Sequence, residues 1–195
     1  MKLEMDHRLR EHDYAGRGFY FITTVTRPRR NLFSTISDYK THLTQLGEIV
    51  RYEWLRLARE QPLLEQQEFE IMPDHFHGTI IATANLPKPL GYYIGNFKGR
   101  TRQAIRKLLG DPAFPVWSRG FFDIVSLDAD MLHAFRLYIK DNARRKQLRD
   151  ENRHHQQQNL GLKRIRRRCP GNADQLRQLP FQQRPRQRDR GYTSR

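Results

Sequence analysis

The spacing of apolar residues changes period several times along the chain, and each change predicts an element. Residues 19–26 (FYFITTVT) are dense in β-branched and aromatic side chains and stop at Arg27-Pro28, the pattern of a strand. Leu43, Leu46, Val50, Trp54 and Leu57 recur at intervals of three and four, which puts them on one face of a helix. Phe69 and Ile71 alternate with Glu68 and Glu70 as in a half-buried strand. Pro73-Asp74 breaks that run and residues 75–82 resume it, which predicts a hairpin. Beyond a Pro-bearing loop at 85–89, Leu90, Ile94, Phe97, Thr101, Ile105 and Leu108 keep helical spacing as far as Gly110-Asp111-Pro112, a helix stop. Residues 116–127 hold one more strand. Asp128 is placed to N-cap a last helix with Leu132, Phe135 and Ile139 as its apolar stripe.

The order βαββαβ plus a further helix predicts an α+β fold of the ferredoxin-like, split βαβ kind. Its antiparallel sheet carries helices on one face and is followed by a C-terminal helix and a basic tail. Residues 14–149 are expected to form the folded domain, behind an N-terminal arm at 1–13. Residues 150–195 are rich in Gln, Arg and His and poor in aliphatics, too polar to offset the entropy of ordering, so they are expected to stay disordered or to fold only on nucleic acid.

Composition narrows the partners. The chain has 195 residues, 37% hydrophobic and 29% charged, and no run near the roughly 18 apolar residues that span a bilayer. It begins without a secretory apolar run, and its single cysteine, Cys169, has no partner for an internal disulfide, so a cytoplasmic protein without membrane contact is expected. The net charge is +15, which favours a polyanion such as nucleic acid. The excess is concentrated: 16 of the 36 basic residues, but only 4 of the 21 acidic ones, lie from Arg144 onward. Arg100, Arg102, Arg106, Lys107, Arg144, Arg145, Lys163, Arg164, Arg166, Arg167 and Arg168 are the candidate nucleic-acid contacts.

Two short patterns carry chemistry. His75 and His77 flank Phe76 on a strand, where residues two apart share a face at about 7 Å. They form either half of a metal site or an ordinary surface pair. Tyr138 and Asn142 lie four apart on the last helix and emerge together. They read either as a phenol and an amide of a reactive site or as a core-edge tyrosine and a helix cap.

Taken in order, Ile71-Met72-Pro73-Asp74-His75-Phe76-His77-Gly78 and the downstream Tyr138-Ile139-x-x-Asn142 resemble the HUH single-strand nucleases, in particular the REP-associated tyrosine transposases. Further segments resemble the family in the same order: His12-Asp13-Tyr14, Leu46-Gly47, Trp54, Phe97-Lys98 and Val116-Trp117-x-Arg119-x-Phe121-Phe122-Asp123. The resemblance covers about residues 12–150. It implies an enzyme, a metal-dependent endonuclease and strand transferase acting on single-stranded DNA with palindromic hairpins of the REP type. His75, His77 and Asn142 would be ligands of Mg²⁺ or Mn²⁺, and Tyr138 the nucleophile of a 5′-phosphotyrosine intermediate. It also implies a bacterial, nucleoid-associated protein, monomeric or homodimeric. Ala143 stands where the family usually has Pro, Ile124 where many members have His, and Asp74 where Asn is frequent. The other reading of the same residues is a non-cleaving module that binds structured DNA or RNA.

Overall fold

The structure is a computed structural model that describes residues 11–126 and 129–168. The chain divides into two units, residues 1–149 and 150–195. In the first, strands β1 (Gly18–Val25), β4 (Leu64–Ile71), β5 (His75–Ala82) and β6 (Phe122–Ser126) form one sheet in the order β4-β5-β1-β6, with every neighbouring pair antiparallel. Helix α1 (Gln45–Glu60) links β1 to β4, and α2 (Leu90–Leu109) links β5 to β6. This is the expected split βαβ order. A second, two-stranded sheet pairs β2 (Ser34–Ser37) with β3 (Lys40–Leu43), and α3 (Ala129–Lys140) and α4 (Asn142–Arg168) follow β6.

The helices begin and end where side-chain chemistry dictates. Thr44 caps α1, its hydroxyl accepting from the Gly47 N–H at 3.1 Å. Leu43, placed by its spacing at the head of that helix, is therefore the last residue of β3. At the end of α2, Gly110 takes φ 65°, and the Asp111 N–H bonds back to the Arg106 carbonyl. Within α2, Gly95 and Gly99 each cost about 0.5–1 kcal/mol relative to alanine, and a Cβ at either would meet nothing within 4 Å.

Side chains on alternate sides of the strands divide the domain. Tyr20 and Ile22 of β1 and Phe76 and Ile80 of β5 are fully buried against α1 and α2. Trp54, Phe76 and Phe97 form an aromatic trio, with ring centroids 4.6, 5.2 and 5.4 Å apart. Gly78 lies beside it because an added Cβ would sit 2.8 Å from both the Trp54 and Phe76 rings. The opposite face carries Phe21, His75 and His77. There Phe135 of α3 stacks on Phe21 at 4.9 Å.

Three expectations change. The β2–β3 hairpin was not legible: its turn residues Asp38 and Tyr39 have φ of 52° and 61°, a two-residue turn made without glycine. The C-terminal helix is not continuous, since Asp141 separates α3 from α4, although Arg145 N–H still bonds to the Asp141 carbonyl. In the second unit, residues 150–168 are helical rather than disordered. Arg, Lys, Gln and Leu are good helix formers, and Pro170 is the first proline beyond them, so polarity removed the core but not the helix propensity. Asp128 and the tail beyond Arg168 lie outside the described residues.

Gly47 is the most demanding glycine, because a Cβ there would lie 2.0 Å from the Phe33 carbonyl oxygen. Gly47→Ala is expected to cost about 1–3 kcal/mol or more, as overpacking against immobile backbone does. A clearly lowered urea midpoint checks this, and an unchanged midpoint would contradict the packing.

Candidate active site

The turn at Met72-Pro73-Asp74 delivers β5 with His75 as its first residue, and strand alternation then puts His77 on the same face. The two imidazole centroids are 4.6 Å apart. Both side chains are largely buried, 8% and 6% exposed. Each ring has one nitrogen engaged. His75 Nδ1 donates to Asp74 Oδ1 at 2.6 Å, and His77 Nδ1 lies 2.7 Å from Thr23 Oγ1. With both Nδ1 atoms protonated and donating, both Nε2 atoms keep their lone pairs, the state a metal-binding histidine requires.

Burial favours a neutral His77 ring, pushing its pKa down to about 3, and the neighbouring His75 and Arg29 add to the effect. Burial alone would raise the Asp74 carboxyl, but its bonds to His75 and Arg29 hold it well below the usual carboxylate range. Burial raises the Glu70 carboxyl, which is paired in register with His77 on the adjoining strand.

Tyr138 comes to this face from α3. Its ring lies 5.6 Å from His77 and 5.9 Å from Phe21, edge-on to both. A bulge in β4 between Gln66 and Phe69 opposes Gln67 and Glu68 to one residue of β5, and both reach α3. Arg136 bonds to Gln67 and sits 3.0 Å from Glu68, close as an ion pair but not aligned as a hydrogen bond, while Lys140 lies 3.6 Å from Glu68. Asn142, 2% exposed, opens α4, and its Nδ2 finds no partner among the described residues.

His75, His77, Tyr138 and Asn142 thus line one cleft of about 770 Å³, together with Phe21, Thr23, Phe122 and Phe135. Among the described residues no three His, Cys, Asp or Glu side chains gather into a closed metal cage. The donor set that is present, two imidazoles whose Nδ1 atoms are engaged and whose Nε2 lone pairs remain, with the buried Asn142 amide whose oxygen is the atom able to ligate, fits an open site for one divalent cation. Spacing alone revealed the four lining residues. It missed Thr23 and Arg29, which are distant in sequence, and it read Asp74 only as a turn residue.

The candidate DNA contacts separate by their partners. Arg100 pairs with Glu60 at 2.5 Å, and Arg106 donates to the Phe114 carbonyl at 2.9 Å. Arg144 and Arg145 both pair with Asp141, and the Arg145 guanidinium also lies 5.5 Å from the Tyr138 ring centroid. Lys107 is exposed, and Arg102 has no anionic partner among the described residues. Lys163, Arg164, Arg166, Arg167 and Arg168 lie on the helical part of the second unit.

This fold and site place the chain beside known proteins. It is 28% identical over 155 residues to an uncharacterized protein of Haemophilus influenzae, a match covering 69% of this chain and 85% of that one. A solved structure of a REP-associated tyrosine transposase bound to a REP hairpin superposes with a TM-score of 0.50 at 18% identity, covering 68% of this chain and 69% of the other. No protein-family model matches the chain. The chain therefore has the fold of a REP-associated tyrosine transposase as well as motifs resembling that family's. No helix among the described residues is long and apolar enough to cross a membrane.

His77 makes stability depend on pH. Its pKa is lower in the folded state (about 3) than in an unfolded chain, near 6.5, so its contribution is complete above about pH 6.5 and falls as pH drops toward 3. The metal-free protein should lose thermal stability from about pH 6.5 to 5, before most carboxylates titrate, and His77→Gln should flatten that part of the profile. Parallel profiles for the two proteins would contradict the burial argument.

Proposed function

We propose that the protein is a metal-dependent single-stranded DNA endonuclease and strand transferase, transposase-like, acting on DNA hairpins of the REP type through a covalent 5′-phosphotyrosine. The observation that carries this reading is the convergence of two imidazoles from β5 with a phenol and an amide from the α3–α4 junction on one cleft. His75, His77 and Asn142 would hold the cation, Mg²⁺ or Mn²⁺, which when bound withdraws charge from the scissile phosphate.

The chain's own residues supply the rest. Tyr138 Oη gives up its proton and bonds to phosphorus, the P–O3′ bond breaks, and the leaving 3′ oxygen takes up a proton. The bond energy stays in the phosphotyrosine, so a second 3′-hydroxyl can reverse the step and rejoin strands without a nucleotide cofactor. Phe21 and His77 meet the tyrosine ring edge-on, and the Arg145 guanidinium lies over that ring. Asp74 and Thr23 hold the imidazoles in the orientation and tautomer a ligand needs. Such chemistry belongs in the bacterial cytoplasm, on chromosomal DNA.

Incubation with Mg²⁺ and a labelled hairpin carrying a short single-stranded flank should give a protein–DNA adduct that survives denaturation. Tyr138→Phe should abolish the adduct while leaving hairpin binding within about threefold. His75→Ala should slow adduct formation by about 10²-fold or more, the scale of a lost metal-site interaction. An adduct that persists in Tyr138→Phe would overturn the assignment. A wild-type protein that binds the hairpin equally well with and without metal and never forms an adduct would leave a non-cleaving nucleic-acid binder.

A further inference from the structure

Two cavities of about 710 and 480 Å³ adjoin along α2, both lined by Gly95, Gly99 and Arg102. The second is also lined by Arg27, which follows β1, and by Trp117, Arg119 and Phe121 of the segment before β6. These pieces are fixed to one another. Arg27 N–H donates to the Val116 carbonyl at 3.1 Å, Ser118 N–H to the Val25 carbonyl at 2.8 Å, and half-buried Lys98 of α2 reaches the carbonyls of Ser118 and Gly120.

Lys98 is thus part of the wall, whereas the guanidinium groups of Arg27, Arg102 and Arg119 have no anionic partner among the described residues. Arginines that have no anionic partner among the described residues and gather around a hollow suit phosphates, which they recognise without first breaking an ion pair. The glycines agree with this. Nothing in the fold needs Gly95 or Gly99, since a side chain there would enter open space, but a ligand lying close against the helix does.

The groove and the cleft share no lining residue, but the same two chain segments supply walls to both. Phe121 lines one and Phe122 the other, and Arg27 of the groove lies between Val25 and Arg29 of the cleft. We propose that this groove holds the sugar–phosphate backbone of the single strand running out of the cleft, with Arg27, Arg102 and Arg119 on its phosphates. The occupant is single-stranded rather than duplex because the strand in the cleft is itself unpaired, and because Trp117, half-buried against Phe33, keeps part of its ring at the groove wall for an unpaired base. The direction of the strand rests on the strand-cleaving reading; the groove's affinity for nucleic acid does not.

The test uses full-length Tyr138→Phe protein in EDTA, so that binding is read without cleavage. Its probes are a blunt DNA hairpin and the same hairpin extended at both ends by 4 or by 12 unpaired nucleotides. Adding Arg102→Gln and Arg119→Gln should weaken binding of the 12-nucleotide probe about tenfold or more near 0.15 M salt. It should also reduce the slope of log affinity against log salt by about 1.4, roughly 0.7 per single-strand phosphate lost, and leave the blunt hairpin nearly unchanged. Gly99→Leu should weaken the same probe selectively while its thermal midpoint stays level or rises, which separates a filled groove from a damaged fold. Unchanged affinity and slope on the 12-nucleotide probe would overturn the proposal, as would equal losses on the blunt hairpin, which would mean a duplex occupant. Absence of an adduct with unmutated Tyr138 would strike the catalytic reading alone.

Discussion

Everything at the site depends on the alternation of side chains along β5. Phe76 and Ile80 face the aromatic core of α1 and α2, Gly78 makes room for Trp54, and His75 and His77 face the other way. Slipping the strand by one residue would bury both imidazoles among aromatic rings and expose Phe76. Truncating a fully buried phenylalanine typically costs about 3–5 kcal/mol, a large share of a domain's stability, so the packing that builds the core also fixes where the imidazoles project. The placement of the imidazole pair is a by-product of the register.

The tyrosine is held differently. His75 and His77 are anchored by strand hydrogen bonds and by direct contacts to Asp74 and Thr23. Helix α3 buries Leu132 and Ile139, 6% and 1% exposed, each worth about 1.5–3 kcal/mol, and adds ring contacts to Phe21 and partly exposed ion pairs to Glu68 worth about 1 kcal/mol each or less. The imidazoles are thus placed by backbone hydrogen bonds of the sheet, and the tyrosine by side-chain packing of a helix upon it.

How much of this was legible from the chain alone follows the same division. The four strands of the main sheet and the two helices over its inner face were written in local periodicity, because each had a buried face to satisfy. The β2–β3 hairpin was not, since Asp38 and Tyr39 adopt left-handed conformations that their residue types do not announce, and its strands are only four residues long. Among site residues, His75 and His77 stood out because they lie two apart on one strand, and Tyr138 and Asn142 because they were read four apart on one helix, which the structure divides at Asp141; the family resemblance supplied the roles that spacing left open. Thr23 and Arg29 did not stand out, being some 50 residues from the histidines they serve, a distance only the β1–β5 pairing closes. The helix through residues 150–168 was missed for the opposite reason: the absence of an apolar face argued against burial, and burial is not what the propensity of Arg, Lys and Gln requires.

Charge shows most clearly what three dimensions add. In the sequence, every arginine of the folded region counts alike toward a net charge of +15. In the fold, Arg29, Arg100, Arg136 and Arg145 face carboxylates, and Arg106 closes the turn after α2. Contacting a phosphate would cost each of these a bond it already has. Arg27, Arg102 and Arg119 have no anionic partner among the described residues and face no such loss, and they gather on three backbone segments that hydrogen bonds tie together. For a polyanion, the number of basic residues matters less than how many lack a carboxylate partner and stand together, and among the described residues of the first unit three such arginines line a groove whose segments also supply walls to the cleft with the tyrosine.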